Sequence, residues 1–427
     1  MIQASRDYLT FLWRCARIAF VGDWRYYTWM GVLTVFCLLG LNAYCKQLVH
    51  GLVVTGMSDE VSWGVYIANF TFLVGVAAAA VMMVIPVYIY DNEELHDLVI
   101  FGELLAVAAI FMCLAFVTVD LGRPDRFWHL IPGIGQMNFP RSMLSWDVIV
   151  LNGYLLLNVH ICGYLLYCRY QDKKPAKWFY IPFVFTAILW AVSIHTVTAF
   201  LYVGLGGRPF WNASIVGPRF LASAFTAGPA IIILALQVIR NVTHYHITDK
   251  ALLTLRGIVQ VSMIINVFLL VCEVFKEFYS GTAHGISARY LFVGLEGHHA
   301  LVPWIWTAIV FNLIAMVILV MPLSRSLKFL NVACILSIVG IWIEKGMGLV
   351  IPGFTPTPLG ALVEYTPSLN ETLVSLGIWA FGLLAYTVFL RMSVPILQGK
   401  LSRANEKMPE PDTEEDDDAP APAPTAH

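Results

Sequence analysis

Ten separate stretches of this sequence run for about twenty residues or more with almost no charge. They fall at roughly 29–48, 61–90, 98–119, 143–168, 178–204, 215–239, 255–279, 300–322, 327–350 and 371–395. An α-helix needs about 20 such residues to cross the hydrocarbon core of a bilayer. Lipid offers a bare backbone no hydrogen-bond partner, so this pattern favours helices that satisfy their own amides. A membrane barrel would instead alternate apolar and polar residues in strands of about ten. The expected fold is an all-α integral membrane protein with about ten transmembrane helices. Composition agrees: 59% of the 427 residues are hydrophobic and 13% charged, against about 25% charged in a soluble domain. Mean hydropathy is +0.73. The net charge of −2 supplies no basic field for nucleic acid. A soluble globular enzyme, a disordered chain and a nucleic-acid binder are excluded.

The segments between the spans add an orientation. With the N-terminus inside, the inner segments hold 17 of the 26 Lys and Arg residues and the outer segments 9. The positive-inside rule then places both termini in the cytoplasm, with the chain multi-pass in the cytoplasmic (inner) membrane. Segment 120–142 breaks the rule with Arg123, Arg126 and Arg141, which marks it for chemistry or for holding a partner. Residues 1–28 mix Arg6, Arg14, Arg17 and Arg25 with Tyr8, Phe11, Leu12, Trp13 and Phe20, the pattern of an amphipathic helix on the membrane surface. The tail 404–427 is acidic and rich in Pro and Ala, so it is expected to be disordered. Pro86 predicts a kink or early exit in the long second span. The eight cysteines are scattered with no CxxC, so neither an iron–sulfur cluster nor a zinc site is expected.

Ionisable and polar groups inside spans are costly and mark candidate sites. Asp120 closes the third span and Asp147 opens the fourth, joined by a short outer loop. Both carboxylates are expected near one membrane surface, where they could face one another and accept protons from a hydroxylic substrate. The plainer alternative is that Asp120 ends its helix and pairs with Arg123 or Arg141. Trp63, Tyr66 and Asn69 recur at i, i+3 and i+6, so they are expected on one face. That face is either an aromatic belt with a packing surface or one wall of a pocket. Trp146 lies beside Asp147 and could shape the same pocket. His195 lies about 13 Å deep in the fifth span, at 1.5 Å per residue. It is either packing, a proton relay or a haem ligand; no facing second histidine is evident, so haem is not expected. His160 and Glu103 could extend a proton path from His195 toward the inner side. Glu273 and Lys276 suggest an i,i+3 pair in the seventh span, and Glu344 and Lys345 end the ninth.

Four blocks carry a resemblance: DLGRPDRFWHL, NFPRSMLSWDV, WGVYIANFTFLVG and GGRPFWNASIVGPRFLASA. They resemble the NrfD/polysulfide reductase C family of integral membrane subunits through roughly residues 60–395. The ten-span form and the closing pattern IWIEKGMGLVIPG…EYTPSLNETLVSLG are most similar to the family's DsrP branch. Those are quinone-interacting subunits of the sulfite-reduction-associated DsrMKJOP complex; the Hmc, Qrc and alternative complex III assemblies hold related subunits.

The resemblance implies two four-helix bundles, spans 2–5 and 6–9, with one flanking helix at each end. The chain then divides into an interfacial segment 1–28, a first helix and loop 29–60, a quinone-site bundle 61–204, a second bundle 205–350, an outer loop and last helix 351–403, and the tail 404–427. The resemblance also implies menaquinone or another quinone at the outer face, with no haem or iron–sulfur cluster in this chain. Electrons would pass to or from a periplasmic iron–sulfur (ferredoxin-like) subunit. A multihaem cytochrome c, a haem b membrane subunit and a cytoplasmic iron–sulfur subunit would share the complex. In alternative complex III relatives the position before the GRP turn is commonly His, partnered by the WDV Asp; here these positions are Asp120 and Asp147. The HTV segment around His195 resembles one associated there with a proton route.

The expected function is quinone-linked electron transfer as part of an oxidoreductase complex. Asp120, Asp147 and His195 would handle protons, and Trp63, Tyr66, Asn69, Arg123 and Trp146 would bind the quinone. A secondary transporter and a passive anchor for an iron–sulfur subunit are the alternatives.

Overall fold

The computed structural model describes residues 2–282 and 284–404; the tail beyond Ala404 lies outside the described residues. An amphipathic helix, α1 (Ile2–Ala19), precedes ten helices long and apolar enough to cross a membrane. These are α2 (Trp24–His50), α3 (Val65–Tyr88), α4 (Val99–Asp120), α5 (Met143–Tyr170), α6 (Lys177–Val203), α7 (Val216–Thr243) and α8 (Asp249–Tyr279). A shorter α9 (His284–Phe292) leads to α10 (Val302–Val320), α11 (Leu327–Val350) and α12 (Leu369–Leu397). The chain is an integral, multi-pass membrane protein.

Local chemistry fixes the helix ends. Asp23 accepts from the Tyr26 amide at the start of α2, and the Thr248 side chain accepts from the Ala251 amide at the start of α8. Both caps start their helices before the apolar run does, because a polar first turn is stable once its free amides are bound. Ser368 and Glu371 form a reciprocal capping box on α12. Helix α3 ends two residues after Pro86, as that proline predicts. It is also interrupted by a 3-10 turn at Ala78–Ala80. There α7 comes very close, with Gly228 against Ala79.

Neighbouring helices pack in two sets. Helices α3, α4, α5 and α6 contact one another in sequence, and α3 also touches α6. Helices α7, α8, α10 and α11 do the same, with α11 returning to α7. Contacts of α3 with α7 and α11 join the sets, while α2 and α12 pair along one side against α4. Gly40 and Gly377 allow the α2–α12 backbones to meet, since a Cβ on Gly40 would lie 2.6 Å from the Gly377 Cα. Helix α1 buries Phe11 against Tyr167 and Tyr170 of α5 and leaves Leu9 and Trp13 exposed, as is Phe20 just past its end. The loops after α2, α6 and α11 meet at one end of the molecule, where Trp63, Trp211 and Phe354 pack together. Asp120 lies at this same end, called here the Asp120 end.

Candidate functional site

Asp147 occupies the second turn of α5 and is buried. The Thr198 Oγ1 of α6 lies 3.1 Å from Asp147 Oδ1 and 2.8 Å from the Ile194 carbonyl oxygen. A hydroxyl has one hydrogen and two lone pairs. The carbonyl can only accept. With Asp147 ionised, the hydroxyl donates to it; with Asp147 protonated, the carboxyl donates and the hydroxyl turns to Ile194. Each state of the carboxyl therefore keeps a hydrogen-bond partner.

One turn along α6, His195 is buried with Nδ1 3.1 Å from the Ala191 carbonyl oxygen. Because that carbonyl only accepts, Nδ1 carries the hydrogen and Nε2 presents a lone pair. Nε2 is buried without a hydrogen-bond partner. The next turn brings Tyr202, whose hydroxyl is 2.5 Å from Thr71 Oγ1 of α3.

Asp120, the last residue of α4, is half-buried and its Oδ1 is buried without a partner. The Glu371 carboxylate at the start of α12 is close enough for its charge to act on Asp120. Glu371 is fully buried and heavily bound: Oε1 accepts from the Tyr365 hydroxyl at 2.8 Å, and Oε2 accepts from the Gly56 and Ser368 amides at 2.6 and 2.8 Å. Beside Asp120, Gln47 of α2 donates to the Val119 carbonyl at 2.6 Å and accepts from the Tyr66 hydroxyl at 2.8 Å.

Trp63, Tyr66 and Asn69 turn to three different sets of partners. Helix α3 begins at Val65, so Trp63 lies outside it and the 3.6-residue period does not apply to it. Trp63 stacks on Trp211 at 5.5 Å and meets Tyr202 and Phe354 edge-on. Tyr66 turns to Gln47 of α2. Asn69 Oδ1 accepts from two indoles, Trp342 of α11 and Trp379 of α12, each at 3.0 Å. That single amide oxygen ties α3 to two other helices.

Arg123 is exposed and holds Asp125 through two hydrogen bonds of 3.0 Å. This clasp keeps the Asp125 carboxyl below the usual carboxylate range. Trp146 donates to the Pro140 carbonyl at 2.8 Å and packs on Phe139 at the protein surface. The more distant members of the expected proton path are also placed. Glu103 is buried and accepts from the Cys162 thiol at 3.0 Å. The His160 ring packs on Phe179 and Phe183 of α6.

Spacing along the chain misses a charged site in the second helix set. Glu273 does not pair with Lys276; it crosses to Arg219 of α7. Lys276, the more exposed group, binds its neighbour Glu277 at 2.8 Å. Glu273 and Glu277 are four apart and share the buried face of α8, which Lys276 does not. Arg219 also holds Glu344 of α11 at 2.5 Å, and Asn312 of α10 donates to Glu344 at 2.8 Å. A small cavity of about 20 Å³, room for about one water, lies beside this cluster, lined by Arg219, Glu273, Glu277, Glu344, Phe292 and Ile305. One sequence signal could have found it: Arg219, Glu273 and Glu344 stand at the same depth of three different spans.

A family model described as "Polysulphide reductase, NrfD" matches residues 53–356. Three relatives match nearly end to end. An Archaeoglobus fulgidus protein named Hdr-like menaquinol oxidoreductase integral membrane subunit is 22% identical over 385 residues, covering 86% of this chain and 93% of that one. A selenate reductase subunit of Mesobacillus selenatarsenatis is 22% identical over 413 residues, with 86% and 93% covered. A Nitratidesulfovibrio vulgaris protein named menaquinone reductase, integral membrane subunit, is 23% identical over 394 residues, with 86% and 91% covered.

Proposed function

The chain belongs to the NrfD (polysulphide reductase) family, and on that premise we propose that it is the quinone-reactive membrane subunit of a multi-subunit respiratory oxidoreductase. The observation that carries the reading is the Asp147–Thr198 pair, a buried carboxyl with a hydrogen-bond arrangement for each protonation state. Two relatives named for menaquinol or menaquinone chemistry support the choice of substrate.

A menaquinol or related quinol supplies two electrons and two protons when oxidised. In this reading it approaches the Asp120 end. Asp147 accepts a hydroxyl proton, with Thr198 rotating from the carboxylate to the Ile194 carbonyl as it does so. The Nε2 lone pair of His195, one turn away, holds a second proton. Asp120 offers its unpartnered Oδ1 to a hydroxyl at the rim of the same region. The Trp63, Trp211, Tyr202 and Phe354 cluster closes this end against water. The same groups serve the reverse reaction.

The electrons pass to or from an extrinsic iron–sulfur (ferredoxin-like) subunit docked at the Asp120 end, which we place on the periplasmic side of the inner membrane with both termini cytoplasmic. Sulfite- or sulfate-linked respiration of the DsrP type is the assembly the closing sequence pattern favours. Its other members are a multihaem cytochrome c, a haem b membrane subunit and a cytoplasmic iron–sulfur subunit.

The test is quinol turnover by the purified complex. Asp147→Asn preserves shape and removes the proton acceptor; it should abolish quinol-linked electron transfer while the complex still assembles. Wild-type rates in the assembled variant would refute the assignment.

A further inference from the structure

Two of the buried polar clusters are the one around Asp147 and His195 and the one around Arg219, Glu273 and Glu344. Lys345 of α11 lies between them, and α11 contacts both α3 and α7. The lysine is 5% exposed, and its Nζ sits 3.8 Å from the centroid of the Phe220 ring on α7. Among the described residues it has neither a hydrogen bond nor an ion pair. Its neighbour Glu344 takes one hydrogen bond on each oxygen, from Arg219 and from Asn312, and keeps a further lone pair on each. A buried ammonium is costly to keep without a carboxylate, and a ring face compensates only in part. Lys345 also lines a second, small cavity of about 10 Å³ with Arg219, Phe220 and Glu344.

His195 approaches from the other side. A Cβ on Gly75 would lie 3.9 Å from His195 Nε2 and 3.5 Å from Ala224. Ala224 is four residues, one helical turn, beyond Phe220 on α7. His195 and Lys345 are electrostatic neighbours. A ring nitrogen with an open lone pair and an amine without a partner thus lie near α7 residues one helical turn apart, Ala224 and Phe220.

We propose that Lys345 is the proton-transfer group that joins His195 to the Arg219–Glu273–Glu344 cluster, so that protons released at the first helix set move sideways into the second. The inference rests on the quinol reading above. The Nε2–H bond of a protonated His195 breaks and an N–H bond forms on the neutral Lys345 amine. The ammonium then gives a proton to the Glu344 carboxylate, returning the imidazole and the amine to their starting forms. No electron moves in either step. The route runs through α11, away from His160 and Glu103.

The test uses the assembled complex. Lys345→Met should lower quinol turnover at least tenfold. Lys345→Arg should fail to a similar degree, because a guanidinium keeps its proton; a lysine needed only for its charge would be replaced by arginine without loss. Lys345→Ala leaves room for a small amine, and ethylamine should restore its turnover in proportion to the free base while leaving wild type unchanged. Wild-type turnover in the Met or Arg variant would overturn the relay. So would an assembled, slow Ala variant that ethylamine does not improve. A wild-type complex unable to oxidise or reduce quinol would overturn the underlying reading, and the relay with it.

Discussion

Thr198 lies 3.1 Å from the Asp147 carboxyl and 2.8 Å from a backbone carbonyl of its own helix, with one hydrogen to give to the two. The pair can change protonation without leaving either side chain bare. A hydrogen bond to an ionised group contributes roughly 1.5–3 kcal/mol, and about 1.4 kcal/mol is a tenfold change in rate. Thr198→Val, which keeps the shape and removes the hydroxyl, should therefore lower quinol turnover about 10- to 100-fold. Thr198→Ser should retain most of it. Steady-state rates of the two purified complexes check this.

Asn69 is a fastener between helices. Its Oδ1 takes hydrogen bonds from Trp342 and Trp379, and its amide donates to the Val65 carbonyl at 2.8 Å. Asn69→Leu leaves two half-buried indole N–H groups without acceptors, each costing about 1–3 kcal/mol. The variant should melt at lower temperature, and Asn69→Asp, which keeps an acceptor, should lose less. Thermal unfolding in detergent measures the difference.

Arg219 bridges two carboxylates from separate helices. Removing one member of such a buried group leaves charge uncompensated, at roughly 3–5 kcal/mol. Arg219→Met should be strongly destabilised. The triple change Arg219→Met, Glu273→Gln, Glu344→Gln should recover much of that loss, as it leaves no bare charge. The order of the three midpoints in a thermal scan decides the point.

The turn between α3 and α4 is tied to the start of α8 by Glu94, which accepts from Thr248 at 2.7 Å and from Lys250 at 3.2 Å. These donors hold the Glu94 carboxyl below its ordinary range, the Thr248 hydroxyl contributing most. A carboxyl lowered on folding adds stability above its unfolded value and loses it as pH falls through its folded value. The amide-exchange protection factors in residues 244–251, corrected for the intrinsic pH dependence of exchange, should therefore fall only in acid, below the ordinary glutamate range. Glu94→Gln should show faster exchange there at neutral pH.

The spans are legible in the sequence because hydrocarbon thickness imposes one length on every helix. All ten appear, and the misplaced ends have local causes, such as the cap at Thr248 that starts α8 six residues before its apolar run. Proximity along the chain is legible as well: Thr198 and His195 share a face because they are three apart. Rotation of one span against another is not. Helices apolar all round carry no stripe that says which side meets which neighbour. That is why spacing assigns Asn69 to a pocket wall instead of to Trp342 and Trp379, and pairs Glu273 with the nearby Lys276.

The most direct measurement is an infrared difference spectrum of the assembled complex, recorded as quinol is oxidised. The account predicts a protonated-carboxyl band that changes with turnover, disappears in Asp147→Asn and shifts in Thr198→Val. A band that survives unaltered in Asp147→Asn would place the proton on another group and contradict it.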